Sequence, residues 1–233
     1  MAHEQRDVDL GRRWLLHAAA IGALVGVGAQ AATPFAKAEI AAAPTDLSPD
    51  AALKKLVDGN QRATTGKLTS IERDLAILRE HTVNKQEPFA AVLSCADSRV
   101  PVEMIFDQTI GDIFVTRVAG NIVTPEIIAS LEYGVAVLGV ETLLVLGHSN
   151  CGAVKAAMKA EEVPGQISTL YPHLRHAVQQ AGGNLEKAIE TNAKIQAELL
   201  RTSSTVIRAA VETRKLKVES GVYDLASGKV TIS

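Results

Sequence analysis

Two short, unbroken apolar runs, with a β-rich run between them, constrain this chain more than any other feature. Phe89–Ser94 reads FAAVLS, Ile113–Val118 reads IFVTRV and Thr142–Leu146 reads TLLVL. A strand exposed on one face alternates polar and apolar residues. A continuous apolar run suits a strand buried on both faces, which is the habit of a parallel sheet. Between the second and third runs lies an amphipathic helix. Thr124 caps it, Pro125 suits its first turn, and Ile127, Leu131, Val135 and Leu138 form its inner stripe. Strand, helix, strand in that order predicts an α/β fold with a central, mainly parallel sheet flanked by helices.

The flanks add to this frame. Ser48-Pro49-Asp50 opens a helix that Gly59 is placed to end. A second helix is expected over residues 70–81, with Ile71, Leu75 and Leu78 on one face, so the chain has an N-terminal helical arm. Helical stretches follow over residues 166–180 and 184–214. Lys217 to Ser233 reads as a strand hairpin, VESGVYDL and KVTI around Ala226-Ser227-Gly228. Internal repeats are absent from the sequence.

The first thirty residues have a different character. Arg12-Arg13 precede an apolar run from Ala18 to Ala29, and Ala29-Gln30-Ala31 is an A-x-A cleavage pattern. Residues 1–31 therefore read as a secretory signal peptide. The arginine pair resembles the twin-arginine type, with Gly11 and Leu15 departing from its usual residues. The alternative is a membrane anchor, but the apolar run is shorter than the roughly 20 residues a spanning helix needs. Cleavage predicts a soluble, exported, periplasmic chain starting near Ala32, which N-terminal sequencing reads directly. Residues 32–47, rich in Ala, Pro and Thr, read as a linker, and 48–233 as the folded domain.

Composition excludes one class of partner. With 24 basic and 26 acidic residues the net charge is −2, so no broad positive field exists to hold a nucleic acid backbone. Aromatic residues make up only 3%, too few for a base-stacking surface. Two cysteines, Cys95 and Cys151, are too few for a disulfide scaffold. They can form one bridge, bind a metal, or sit reduced in a core.

Their neighbours favour the metal. Cys95 lies just past the first apolar run and His148 just past the third, with Cys151 three residues later. Loops at the carboxyl ends of parallel strands are where α/β sheets place their sites. If the two strands are neighbours, two thiolates and one imidazole converge, a soft set that selects zinc and leaves the fourth position unfixed. Asp97 and Arg99 stand in the same run, CADSR. Asp97 can bind the metal itself and close the site, or pair with Arg99 and accept a hydrogen bond from metal-bound water.

The runs CADSR, RVAGN and GHSNCGAV, in this order and separation, resemble the β-class carbonic anhydrases, in particular their plant-like branch. The resemblance covers Ser48 to the C-terminus. It implies Zn2+, one per chain, held by Cys95, His148 and Cys151, with Asp97 and Arg99 as the catalytic pair and Asp97 able to replace water on the metal. It implies reversible hydration of carbon dioxide to bicarbonate and a proton by a zinc-bound hydroxide. Substrate-pocket roles carry over to Gln86, Phe114, Ala119 and Tyr133. Val92 stands where the bicarbonate-regulated branch has tryptophan, so no such regulatory site is expected. A homodimer or higher even oligomer is implied, with the N-terminal helices embracing the partner and Gln86 and Tyr133 serving the partner's zinc.

Other readings stay open at this level. A related hydrolase of carbonyl sulfide or carbon disulfide would carry the same local motifs, and a structural zinc module would need the ligands but not the Asp97–Arg99 pair. Tyr133 sits at core spacing on its helix. Arg117 and Asn121 can instead brace the fold or the dimer. His81, His173 and His176 read as surface residues.

Overall fold

The structure is a computed structural model that describes residues 47–70, 75–160 and 162–233. The signal-peptide reading of residues 1–31, with its twin-arginine pair, lies outside the described residues. So do linker residues 32–46 and the start of the second expected helix at 71–74. Among the described residues no helix is long and apolar enough to cross a membrane.

Five strands form one sheet: β1 (Ala90–Ser94), β2 (Ile113–Arg117), β3 (Thr142–His148), β4 (Lys217–Tyr223) and β5 (Val230–Ile232). Their order is β2-β1-β3-β4-β5. The first four run parallel, and β5 returns antiparallel to β4 as the expected C-terminal hairpin. Every residue of β1 and β3 is buried, as unbroken apolar runs demand. Alternation survives inside the sheet: Leu143 and Val145 enter one apolar layer, Leu144 and Leu146 the other.

Helices fill both sides. One layer packs against Leu131 of α4 (Pro125–Ala136), Ala197 and Leu200 of α7 (Leu185–Ser203), and Ile207 of α8 (Thr205–Glu212). The other packs against Ala52 and Leu56 of α1 (Pro49–Thr64) and Val102 and Ile105 of α3 (Val102–Ile105). Helix α2 spans Leu75–Thr82, and α5 (Gly152–Lys159) and α6 (Tyr171–Ala181) follow β3. The caps follow the sequence: Ser48 accepts from Ala51 N and Thr124 from Ile127 N, each with proline in the first turn.

Two expectations change, and one element was not expected. Gly59 does not end α1, which runs on to Thr64. A Cβ there would lie 1.8 Å from the Phe106 carbonyl oxygen, so Gly59 is the point where α1 lies flush against the end of α3. The stretch expected as one helix over 184–214 is two, broken at Ser204. The buried Ser204 hydroxyl accepts from Ile207 N and donates to Glu132 Oε1 at 2.6 Å, which turns the break into a cap tied to α4. Helix α3, four residues long, had no periodicity to announce it.

Asp107 locks the connection after α1. Its side chain is fully buried and accepts from Arg62 Nε at 2.6 Å, Thr69 N at 2.9 Å and Ser70 N at 2.8 Å. Burial alone would raise this carboxyl, but the bonds from Ser70, Arg62 and Thr69 outweigh it and hold the group well below the usual carboxylate range. The sign follows: a lowered folded value gives stability present above the unfolded value near 3.9 and lost as pH falls through the folded one. Asp107→Asn should therefore cost about 3 kcal/mol at pH 7. The gap to wild type should shrink below about pH 4. Urea midpoints at the two pH values measure this, and equal midpoints at pH 7 would contradict it.

Candidate metal centre

The first ligand position follows from strand order. Strands β1 and β3 are neighbours with Ser94 opposite Leu146, so their carboxyl ends stand side by side. Cys95 is the next residue after β1, and His148 is the last residue of β3. Cys151 caps the start of α5, three residues on. The ligand atoms of Cys95, His148 and Cys151 all lie within 4.8 Å of one another, and all three residues are buried. Both cysteines are free thiols, which leaves the bridge reading without support in this structure.

The imidazole is already oriented. Its Nδ1 lies 3.0 Å from the Ser149 carbonyl oxygen, which can only accept, so Nδ1 carries the proton. The lone pair is then on Nε2, which is buried without a hydrogen-bond partner. A buried acceptor left this way is costly unless something else satisfies it.

The sulfurs supply charge. The neighbouring Cys151 thiol, above all, and the Gly120 N–H at 3.3 Å from Sγ favour the Cys95 thiolate, against the opposing effect of burial. Together they lower the Cys95 thiol to about 4. Cys151 is pushed up by its hydrogen bond to Cys95 and by burial. Two sulfurs and an unpartnered imidazole nitrogen, set in a buried cluster with Ile122, Val154 and Leu174, are chemically suited to a soft cation.

Asp97 stands beside this trio and not within it. Its Oδ1 accepts from Arg99 Nε at 2.9 Å and Arg99 N at 3.0 Å, and its Oδ2 from Arg99 Nη2 at 2.7 Å. The Arg99 guanidinium, above all, holds the carboxyl well below the usual carboxylate range. Oδ2 lies 3.8 Å from His148 Nε2, so an ionised oxygen borders the cation position. Arg117 braces the same loop by donating to the carbonyls of Cys95 at 3.0 Å and Asp97 at 2.6 Å. Its neighbour in the RVAGN run, Asn121, is buried with Nδ2 unpartnered.

The expected pocket residues divide. Ala119 opens the single 3-10 turn after β2, next to the Gly120 N–H that reaches Cys95. The other three do not gather at this chain's trio. Phe114 lies opposite Ala91, four residues and roughly 13 Å along the strand before Cys95. Tyr133, 47% exposed on α4, stacks at a tilt on Phe114 with ring centroids 6.2 Å apart. Gln86 is exposed on the loop before β1, at the amino end of the sheet. His173 and His176 are exposed, as expected.

Two residues escaped the sequence reading. Asn192 and Gln196 are buried on α7 and reach the turn that carries Gly120. Their signal was present: they occupy, four apart, the stripe otherwise filled by Ala188, Ile189, Ala193, Ala197 and Leu200.

Two cysteines and a histidine that could hold a metal ion, gathered at the carboxyl edge of a parallel sheet and bordered by an ionised acid, are a constellation suited to metal-assisted chemistry on a small substrate. Comparison with known proteins narrows the class. The sequence profile of the carbonic anhydrase family matches residues 90–230. A carbonic anhydrase of Mycolicibacterium smegmatis is 36% identical over 199 residues, covering 79% of this chain and 93% of that protein. Among solved structures, a β-carbonic anhydrase of Aspergillus fumigatus superimposes with a TM-score of 0.63 at 26% identity, covering 79% of this chain and 89% of that one. One of two tetrameric β-carbonic anhydrases from Sordaria macrospora gives 0.61 at 27% identity, covering 67% and 88%. The chain belongs to the β-class carbonic anhydrase family.

Proposed function

We propose that this protein is a zinc-dependent carbonic anhydrase that hydrates carbon dioxide reversibly. The observation that carries the reading is the Asp97–Arg99 pair at the mouth of the Cys95–His148–Cys151 trio, since a purely structural site has no use for it. Cys95, His148 and Cys151 would hold the zinc, which would supply Lewis acidity enough to bring the pKa of water to about 7 and so a nucleophile near neutral pH.

The chain's own residues do the rest. The Ser149 carbonyl keeps the His148 proton on Nδ1, so Nε2 faces the metal position. Arg99 keeps Asp97 ionised and fixes both its oxygens, so Oδ2 stands ready to accept a hydrogen bond from the nucleophile and to orient it. Arg117 ties the carbonyls of Cys95 and Asp97 to one guanidinium, which sets ligand and acid at a constant separation. Ala119 supplies a small apolar wall, which suits a small apolar substrate.

The site is completed by a second copy. Strand β2 is an outer strand with its ladder open on one side, and its residues Ile113 to Thr116 are half-buried. Ile110 and Tyr133 are exposed, 46% and 47%. A dimer across this face would cover them and give Gln86, Phe114 and Tyr133 a metal centre to line, namely the partner's. Stopped-flow hydration of carbon dioxide by zinc-loaded protein between pH 7 and 9 tests the reading. Catalysis above the buffer background is expected; none, with zinc at one per chain, rejects it.

A further inference from the structure

Two amides buried in the apolar face of a long helix ask for a reason. Asn192 and Gln196 are 1% and 0% exposed on the side of α7 that packs toward the sheet. Helix packing alone would be served by alanine or leucine there, and a buried amide is costly unless its hydrogen bonds are made. Here they are made, and they converge on one turn.

Gln196 Oε1 accepts from Val123 N at 2.8 Å. Its Nε2 donates to Asn192 Oδ1 at 3.0 Å and to the His173 carbonyl at 3.2 Å. Asn192, thus fixed, donates from Nδ2 to the Gly120 carbonyl at 2.9 Å. The turn from Gly120 to Val123 is gripped at both ends by one pair of side chains. The residue at its start then donates its N–H to Cys95 Sγ at 3.3 Å. Gly120 has φ 76, and a Cβ there would meet Ala153 at 3.3 Å and Leu174 at 3.4 Å, so the backbone must come this close unaided by any side chain.

We infer that Asn192 and Gln196 are positioning residues for the metal-ligating sulfur. Through the Gly120 turn they fix the N–H···S bond on Cys95, and with it the direction and donor strength of that thiolate. The inference rests on the reading of Cys95 as a ligand. A donor on sulfur draws electron density from it, and groups that orient a ligand in this way are worth about 10- to 100-fold in metal affinity.

Cobalt(II) makes the sulfur visible through thiolate-to-metal charge transfer. Asn192→Leu removes the grip on Gly120, and Gln196→Met, close in volume, removes the fixing of Asn192 and is the second variant if the first fails to fold. Each should move the charge-transfer band to longer wavelength. Each should also weaken zinc about 10- to 100-fold in competition with a chelator. A purely structural role lowers the melting temperature but leaves band and affinity where they are, and that result overturns the inference. Cys95→Ser separates the two levels of failure. A wild-type cobalt protein without a Cys95-dependent band sinks the ligand reading itself. A Cys95-dependent band unmoved by either variant sinks only the positioning roles.

Discussion

Asp97→Asn is expected to lower the hydration rate by about 10²- to 10⁴-fold while zinc stays at one per chain. The substitution keeps size and shape. It replaces one of two oxygens that Arg99 grips at 2.9 and 2.7 Å with an amide that cannot accept. It also removes the only acid bordering His148 Nε2 among the described residues, at 3.8 Å. No ionised oxygen then accepts a hydrogen bond from the nucleophile or fixes its direction, although Cys95, His148 and Cys151 are untouched. Because Arg99 holds the Asp97 carboxyl below its usual range, it is ionised above that lowered value, through neutral pH and into mild acid. The loss should accordingly be uniform from pH 6 to 9. Stopped-flow rates beside zinc analysis make the measurement, and a variant with full rate would remove Asp97 from the chemistry.

Cys95→Ser should act one level lower and abolish the metal centre. A hydroxyl is a hard donor that does not ionise near neutral pH, whereas the Cys95 thiol is held at about 4. The loss in zinc affinity should exceed the roughly 100-fold of an orienting group. The stabilisation that a bound metal gives the folded state should go with it. Dialysis against a chelator followed by zinc analysis and thermal unfolding would show both. Stoichiometric zinc after that treatment would falsify the ligand assignment.

The sheet and the ligand trio were legible because both rest on local signals. Continuous apolar runs at 89–94 and 142–146 announced strands buried on both faces, and Cys95 and His148 beyond them stand in the group that could hold a metal ion. What stayed hidden depended on partners distant in sequence. Ser204 breaks a helix because Glu132 and Ile207 N take its hydroxyl, and Glu132 is 72 residues away. Gly59 looked like a helix end because glycine usually is one, whereas its reason is the Phe106 carbonyl. Phe114 took its pocket role from the motif, and only the strand register shows it opposite Ala91, four residues before Cys95. Asn192 and Gln196 were polar letters in an apolar stripe, a signal that names no function until the turn they grip is seen.

The open ladder of β2 makes concentration a variable of this protein's enzymology. An outer strand with half-buried residues is a template for pairing, and in the proposed dimer that pairing would lend residues to the site. Mass action then enters every assay, because dilution below the dimer's dissociation constant separates each metal centre from the side chains lent to it. Specific activity should fall on dilution without any change in the folded protomer. The same open edge, freed by dilution or by a poor partner, is the surface on which chains would associate in the wrong register.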